Sequence, residues 1–331
     1  MYKSKITGSG FYVPSKVVTN DDLGKLMDTS DEWIFKRTGI KERHYIEHSG
    51  IGSSDLAYEA SKKALEQADL TAEDIDFIVF ATLSPDFSFP GSGVLLQKKL
   101  GCRNIGAVDI RTQCTGFIYA LSIADNFVRT GQYKNVLVVG GEVHSTGMDF
   151  STKGRDVAVL FGDGAGAVVL SRSEDDHGIL STHLNSQGEY YDKLWVESPA
   201  SRNIPRIVKK DIDEGRIYPL MDGKVVFKHA VKRMKEVVLE ALETNGLSVD
   251  DVSLIVPHQA NLRINQMVAR QLKIPDEKMF NNIEKYGNTT AATIPIALTE
   301  ALEQNLIHKG DLVVMVSFGS GFTWGSVAIR W

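Results

Sequence analysis

Cys114 stands in the segment DIRTQCTGF, between a strand-like run and a stretch whose apolar residues Phe117, Leu121, Ala124 and Val128 recur at helical spacing. That spacing puts the thiol at a helix N-terminus. There the positive end of the helix dipole and unpaired backbone N–H groups lower a thiol pKa and can receive an oxyanion. His258, in VPHQAN, ends the apolar run Leu254 to Val256, where a polar ring needs a partner or a task. Asn288, in KYGNTT, precedes another helical stretch and is either an ordinary N-cap or a positioned amide. A thiol, an imidazole and an amide suffice for thioester chemistry, because one can be acylated while the others move a proton or hold an oxyanion. Cys102, in the loop LGCRN, has no such setting and reads as a small buried hydrophobe.

The elements that must position these residues repeat along the chain. Residues 54–68 set Leu56, Ala57, Ala60, Ala64 and Ala68 on one helical stripe, and residues 227–242 do the same with Phe227, Ala230, Val231, Met234, Val238 and Leu242. Each helix leads through a polar turn into a short apolar run, ADLTAEDIDFIVFAT and NGLSVDDVSLIVPHQ, about 177 residues apart (251 − 74). Downstream, CTGFIYALSIADNFVRTGQYKNVLVV and NTTAATIPIALTEALEQNLIHKGDLVVMV each read as a helix and then a strand, in a register expected to drift by a few residues. Alternating strands and helices in both halves predict mainly parallel sheets with right-handed crossovers, packed as a pseudo-symmetric pair. Superimposing the halves puts Cys114 opposite the neighbourhood of Asn288 and His258 opposite Ala81. These are strand-to-helix junctions, where open α/β sheets bind ligands. The run VAVLFGDGAGAVVL at 157–170 reads as a hairpin or a pair of adjacent strands around a Gly-rich turn, and it matches neither nucleotide-binding glycine motif. Residues 186–220, with Pro199, Pro205 and Pro219, read as a surface excursion between the halves.

Composition excludes several classes. The 331 residues are 43% apolar and 24% charged, enough to bury a sizeable core. A formal net charge of −5 supplies no basic footprint for nucleic acid or an anionic membrane. Two cysteines without CxxC spacing argue against a disulfide framework or a structural zinc site, and no metal is expected. MYKSKITGSG lacks a signal-peptide core, and no apolar run nears the ~20 residues of a membrane span. A cytoplasmic location is the expectation.

Beyond these readings, the segments TSDEWIFKRTGIKERH, DIRTQCTGF, FGDGAGA, PHQANLRI, GNTTAA and GSGFTWG occur in the order and at the spacing of the β-ketoacyl-acyl carrier protein synthase III family, which the whole chain resembles. The resemblance implies a thiolase-like five-layered αβαβα fold of two pseudo-symmetric halves. Residues 1–172 would carry the nucleophilic cysteine and 173–331 the histidine and asparagine. It implies a decarboxylating Claisen condensation of an acyl-CoA with malonyl-acyl carrier protein through an acyl-cysteine, without a cofactor. By motif, Cys114 would be acylated, and His258 with Asn288 would hold the malonyl thioester oxygen. The backbone N–H groups of Cys114 and Ser320 would form a second oxyanion site. Ser320 stands where the family often has glycine, which is tolerable if its backbone is not in a glycine-only conformation. Phe322 and Trp324 are expected to pack.

The same resemblance maps Trp33 and Arg37 onto a coenzyme A tunnel, with Arg155 on the far face of the adenine. Lys228 and Arg263 would meet phosphates at its mouth, and Asn261 would bond the pantetheine. Phe89 corresponds to a residue that enters the acyl pocket from a partner subunit, which implies a homodimer, with acyl-CoA and acyl carrier protein as the other partners. Thr112, Gln113 and Thr115 around the cysteine, LSPD at 83–86 and the segment 186–206 depart from the common pattern. The first two resemble variants from secondary metabolism, such as synthases of quinolone precursors, which use CoA-bound substrates, and the third is expected to reshape the pocket mouth. The expectation therefore covers fatty-acid initiation or a related secondary-metabolite pathway, with a non-decarboxylating acyltransferase on the same fold as the alternative. A Cys/His/Asn hydrolase is a further rival, but the chain lacks that class's local CGSC[WY] signature.

Overall fold

The structure is a computed structural model and describes residues 2–174 and 176–331. In chain order its strands are β1 (Lys3–Tyr12), β2 (Lys16–Thr19), β3 (Glu42–Tyr45), β4 (Phe77–Ala81), β5 (Gly106–Ile110), β6 (Asn135–Glu142) and β7 (Gly164–Ser173), then β8 (Gly178–Ser186), β9 (Leu194–Trp195), β10 (Leu220–Met221), β11 (Leu254–Pro257), β12 (Leu312–Gly319) and β13 (Thr323–Arg330). The helices are α1 (Asn20–Gly24), α2 (Asp31–Thr38), α3 (Ser53–Gln67), α4 (Ser92–Leu100), α5 (Gly116–Arg129) and α6 (Arg155–Ala158), then α7 (Lys209–Asp213), α8 (Gly223–Thr244), α9 (Leu262–Leu272), α10 (Ile283–Tyr286) and α11 (Thr293–Glu303). Two sheets dominate. One has the order β1-β7-β6-β4-β5 and the other β11-β12-β13-β8.

Alternation along the strands sorts side chains into layers, because successive residues of a strand face opposite sides of its sheet. In β4, Ile78 and Phe80 join a core with Leu56, Ala57, Ala60 and Ala64 of α3, whereas Val79 and Ala81 face α5. In β12, Val314 and Val316 pack with α8 and α9, whereas Val313 and Met315 face the middle. The order is α3 and α4, first sheet, α5 with α11, second sheet, α8 and α9: five layers, as the family resemblance implies. The middle helices are covered on both sides, so α11 is buried at every position from Thr293 to Ala301, unlike the one-sided stripes of α3 and α8.

The repeat holds more strictly than its sequence suggests. The acid-capped turns at Thr71 and Ser248, the starts of β4 and β11, the left-handed residues Gln113 and Thr290, and the starts of β6 and β12 are each 177 apart (248 − 71, 254 − 77, 290 − 113, 312 − 135). These landmarks keep register, whereas the partner of Ile255, Met279, comes 172 residues (279 − 107) after Ala107, the partner of Ile78, so the expected drift is confined to β5 and its counterpart. The counterpart of β5 shrinks to a single parallel bridge between Ile255 and Met279.

Two expectations need correction. The sheets are mixed rather than mainly parallel, since β7 pairs antiparallel with β1 and β6, and β13 with β12 and β8. Each half ends with a connection that is not a helical crossover, and a short or irregular return permits antiparallel pairing. Nor do residues 157–170 form a hairpin. Arg155–Ala158 is a helical turn, and Phe161 makes its bridge with Asn288 of the other half, so only 164 onward enters a sheet. Residues 186–220 hold the short β9–β10 ladder and α7, and much of the segment is exposed.

Phe117 of α5 is fully buried in the middle layer. Phe117→Ala is expected to lower stability by about 3–5 kcal/mol through the cavity it leaves, whereas Glu243→Ala on the exposed face of α8 should change it by no more than about 0.5 kcal/mol. Urea denaturation followed by circular dichroism reads both.

Candidate active site

The nucleophile candidate sits on a turn that the surrounding chain tightly determines. Gln113 has φ 49°, a left-handed conformation costly for a residue with a Cβ, and Cys114 follows it in a 3-10 turn that runs into α5. The Thr115 hydroxyl contacts the Thr112 carbonyl at 2.7 Å and the Thr323 hydroxyl at 2.8 Å. Ser317 Oγ donates to the Cys114 carbonyl at 2.7 Å. The end of β12 comes so close that a Cβ on Gly319 would lie 2.8 Å from the Cys114 Cβ. Glycine there is a requirement of space.

The thiol is buried, and its environment differs from the sequence expectation. Burial and then the nearby Glu142 carboxylate push its pKa up to about 12, against the N–H groups of Cys114 and Ser320, which face the sulfur and favour the thiolate. The helix terminus therefore does not leave a thiolate at rest, and a base is needed. Ser320 is absent from the residues with positive φ, so serine is accommodated. Its hydroxyl donates to the carbonyl of Leu194 in the 186–206 segment.

His258 continues the β11–β12 ladder, its N–H donating to Val316 at 2.8 Å, which carries the ring to the sheet's end. Nδ1 lies 2.7 Å from Thr293 Oγ1, while Nε2 is buried without a partner. Desolvation brings the ring's pKa down to about 3, so it is neutral. The Thr293 hydroxyl also lies 3.0 Å from the Thr290 carbonyl. Pointed there, it leaves Nδ1 protonated and Nε2 a free lone pair; pointed at Nδ1, it makes Nε2 a donor. Asn288 Oδ1 accepts the Thr290 N–H at 2.9 Å, which turns Nδ2, a donor, away toward the cavity that the residue lines. The preceding Gly287 has φ 63°, and a Cβ there would lie 2.9 Å from the Leu160 carbonyl.

Cys114, His258 and Asn288 share the lining of one cavity of about 1040 Å³. A second cavity, of about 680 Å³, meets the first at Cys114, Phe161 and Leu194. Among the described residues no group of three or more His, Cys, Asp or Glu side chains could hold a metal ion.

Comparison with known proteins agrees with this geometry. Residues 108–188 match the family described as 3-Oxoacyl-[acyl-carrier-protein (ACP)] synthase III, and 242–331 match its C-terminal family. A β-ketoacyl-[acyl-carrier-protein] synthase III of Xanthomonas campestris pv. campestris is 47% identical over 331 residues, covering 99% of this chain and 98% of its own. That of Ehrlichia canis is 46% identical over the full length of both. This chain belongs to the synthase III family. The crystal structure of the Aquifex aeolicus 3-oxoacyl-[acyl-carrier-protein] synthase III superimposes with a TM-score of 0.91 at 45% identity, covering 99% of this chain and all of that one. A member of this family is a thiolase-fold condensing enzyme, an acyltransferase.

The mouth of the larger cavity of this synthase III holds some of the expected residues and reassigns others. Trp33 and Arg37 line it, with the Arg37 guanidinium 4.2 Å from the indole centroid. Arg155 lies 5.0 Å from the same centroid and donates to the Asp28 carbonyl, so a base sliding between them requires Arg155 to withdraw. Arg263 lines the mouth, but Lys228 does not; Lys224, one turn earlier on α8, takes that place. Asn261 lines it as well. Oδ1 caps α9 at the Arg263 N–H and Nδ2 gives one N–H to the Arg37 carbonyl, each at 2.9 Å, so the residue positions the wall and keeps a second N–H on Nδ2. Phe89 is 84% exposed and lines neither cavity within this chain. Phe322 and Trp324 are buried and packed.

Sequence reasoning missed four residues. Glu142 is fully buried at the end of β6, accepting bonds from Thr82, Ser84 and the N–H groups of Leu83 and Ser84, and burial pushes its pKa up to about 7. Asp163 of GDG accepts the N–H groups of Ile46, His144 and Ser145, which accounts for that motif as a structural hub. Arg43, fully buried, bonds Val18, Asn20 and Val159, and so holds the loop that bridges to Asn288. Ser317 is the fourth. None of the four stood out in the sequence, since Glu142 closes an apolar run and Arg43 lies in the polar segment KERH.

Gly319→Ala should leave the fold intact but slow alkylation of Cys114 by iodoacetamide and turnover, each by about 100-fold, since a shift near 1 Å is enough for that. Because negative charge on Glu142 raises the thiol pKa, Glu142→Gln should move the onset of Cys114 alkylation to lower pH, read as a rate against pH.

Proposed function

We propose that the chain transfers an acyl group from an acyl-CoA to Cys114 and condenses it with malonyl-acyl carrier protein, forming a 3-oxoacyl thioester. The observation that carries this is the convergence of Cys114 Sγ, His258 Nε2 and the Asn288 amide on one buried cavity whose mouth holds Trp33, Arg37 and Arg263.

In the first half-reaction the lone pair on His258 Nε2 takes the thiol proton, and sulfur attacks the thioester carbonyl. The oxyanion meets the N–H groups of Cys114 and Ser320, which already face the sulfur. Collapse breaks the bond to coenzyme A, whose thiolate leaves with the proton. In the second half-reaction the malonyl carboxylate departs as CO₂, and its electron pair becomes an enolate. Asn288 Nδ2, and His258 in its Nε2–H tautomer, donate to that enolate oxygen. The enolate carbon attacks the acyl-cysteine, the C–S bond breaks and the thiolate takes up one proton. A non-decarboxylating transferase has no use for an amide donor fixed in this way, so the condensation is the reading retained. Arg37, Lys224 and Arg263 supply cations for the phosphates of either substrate.

The assembly we propose is a homodimer. Phe87 and Phe89 are 60% and 84% exposed, and β5 leaves a sheet edge open with Val108 outward, features that a second copy would cover. The acting units would be the halves 1–172 and 173–331. The described chain has two free cysteines and no helix long and apolar enough to cross a membrane, which supports a cytoplasmic enzyme of fatty-acid initiation or a related pathway.

Intact-protein mass spectrometry with a panel of acyl-CoA donors tests the first step. The expected result is one acyl mass on the wild type, none on Cys114→Ala, and discharge on adding malonyl-acyl carrier protein. His258→Ala should retain partial acylation and lose condensation by at least about 100-fold. An adduct on Cys114→Ala would overturn the assignment.

A further inference from the structure

The smaller cavity lies beyond Cys114 from the mouth with Trp33 and Arg37, so in the proposed function it is the chamber for the acyl group. Its wall is not that of a hydrocarbon pocket. Ile51, Leu83 and Met148 alternate with Gln113, Thr290 and the imidazole of His144. His144 is only 4% exposed, yet it takes no part in the chemistry above.

The ring is held from three sides. Asp163 fixes its backbone N–H at 2.7 Å, Phe161 packs at 4.8 Å between centroids, and Nε2 lies 2.6 Å from Thr290 Oγ1. Nδ1 has no partner among the described residues. The Thr290 side chain is fully buried, and His144 Nε2 is its one described partner, so the hydroxyl proton is used only if it is given to Nε2. Nε2 is then the acceptor, and Nδ1 carries the N–H. Burial drives the ring's pKa down to about 3, so the imidazole is neutral and the single N–H on Nδ1 is fixed. The ring lines the smaller cavity, so a bound ligand that covers this donor without offering an acceptor leaves it unpaired at a cost in free energy.

We propose that His144 is a specificity-determining residue that donates from Nδ1 to an oxygen on the acyl group, so that the enzyme's donors are oxygenated acyl thioesters, hydroxylated or keto-bearing, rather than plain saturated ones. This rests on the reading of Cys114 as the acylated residue. A site built around such a donor discriminates against the analogue lacking the acceptor, because the donor is then buried unpaired. The apolar residues beside it accept the rest of the chain. Thr290 fixes the tautomer and acts through His144.

The test compares matched pairs of donors, butanoyl-CoA against 3-hydroxybutanoyl-CoA and octanoyl-CoA against 3-hydroxyoctanoyl-CoA, by single-turnover acylation of Cys114 followed by mass. The wild type should acylate at least one hydroxylated member about tenfold or more faster than its plain partner. His144→Leu, of similar volume and without a donor, should abolish that preference by slowing only the hydroxylated donor. His144→Gln, which keeps an N–H, should restore part of it. Equal or reversed preference in the wild type, or equal slowing of both donors by His144→Leu, overturns the role of His144 while leaving acylation of Cys114 standing. Absence of any adduct from all four donors, with the thiol still alkylable, overturns both.

Discussion

Burying α5 and α11 between two sheets forces the chain to turn from sheet to helix in very little space, and the left-handed residues Gln113 and Thr290 are where it does so. Both carry side chains that dislike that conformation, so the packed layers must supply the free energy that holds them. From this follows the location of everything reactive. Residue 114 is driven against the end of β12, Asn288 is turned by the Thr290 N–H, and the Thr293 hydroxyl beneath it reaches His258. A loop-borne site would have more freedom and less precision.

The same burial that positions the sulfur opposes its ionisation. A thiol pushed up to about 12 is little ionised without a base, which slows adventitious oxidation and alkylation. Burial also keeps water from the acyl-cysteine, whose hydrolysis would waste the intermediate. In the proposed function the two N–H donors at the sulfur contribute most when charge develops on the thioester oxygen, in a site of low dielectric.

The strands, the helices and the three residues that meet in one cavity were legible because each rests on periodicity or on a polar residue at the end of an apolar run. Cys114, His258 and Asn288 are of that kind. The chemistry of their surroundings was not legible, because it comes from residues distant in sequence. Glu142 and His144 lie in β6 and just past it, in an apolar context that conceals them, and only the fold brings them to Cys114 and Thr290. The run at 157–161 looked like a strand because its residues are apolar, yet its backbone partners lie at Asn288 in the other half. Lys224, rather than the expected Lys228, lines the cavity, one turn earlier on the same face of α8. The thiol's pKa went the other way from expectation because a helix terminus is visible in sequence and the depth of burial is not.

Cys114 lies where two chambers meet, with Phe161 and Leu194 lining both sides of the neck. In the proposed function, an acyl group moved onto the sulfur passes out of the larger chamber and frees it before the second thioester arrives. Both substrates therefore use one doorway in turn. Kinetically that is a ping-pong sequence in which each substrate competes for the enzyme form that belongs to the other, so an excess of the extender stalls the first half-reaction. Flux through the enzyme would follow the ratio of the two thioesters rather than the level of either one.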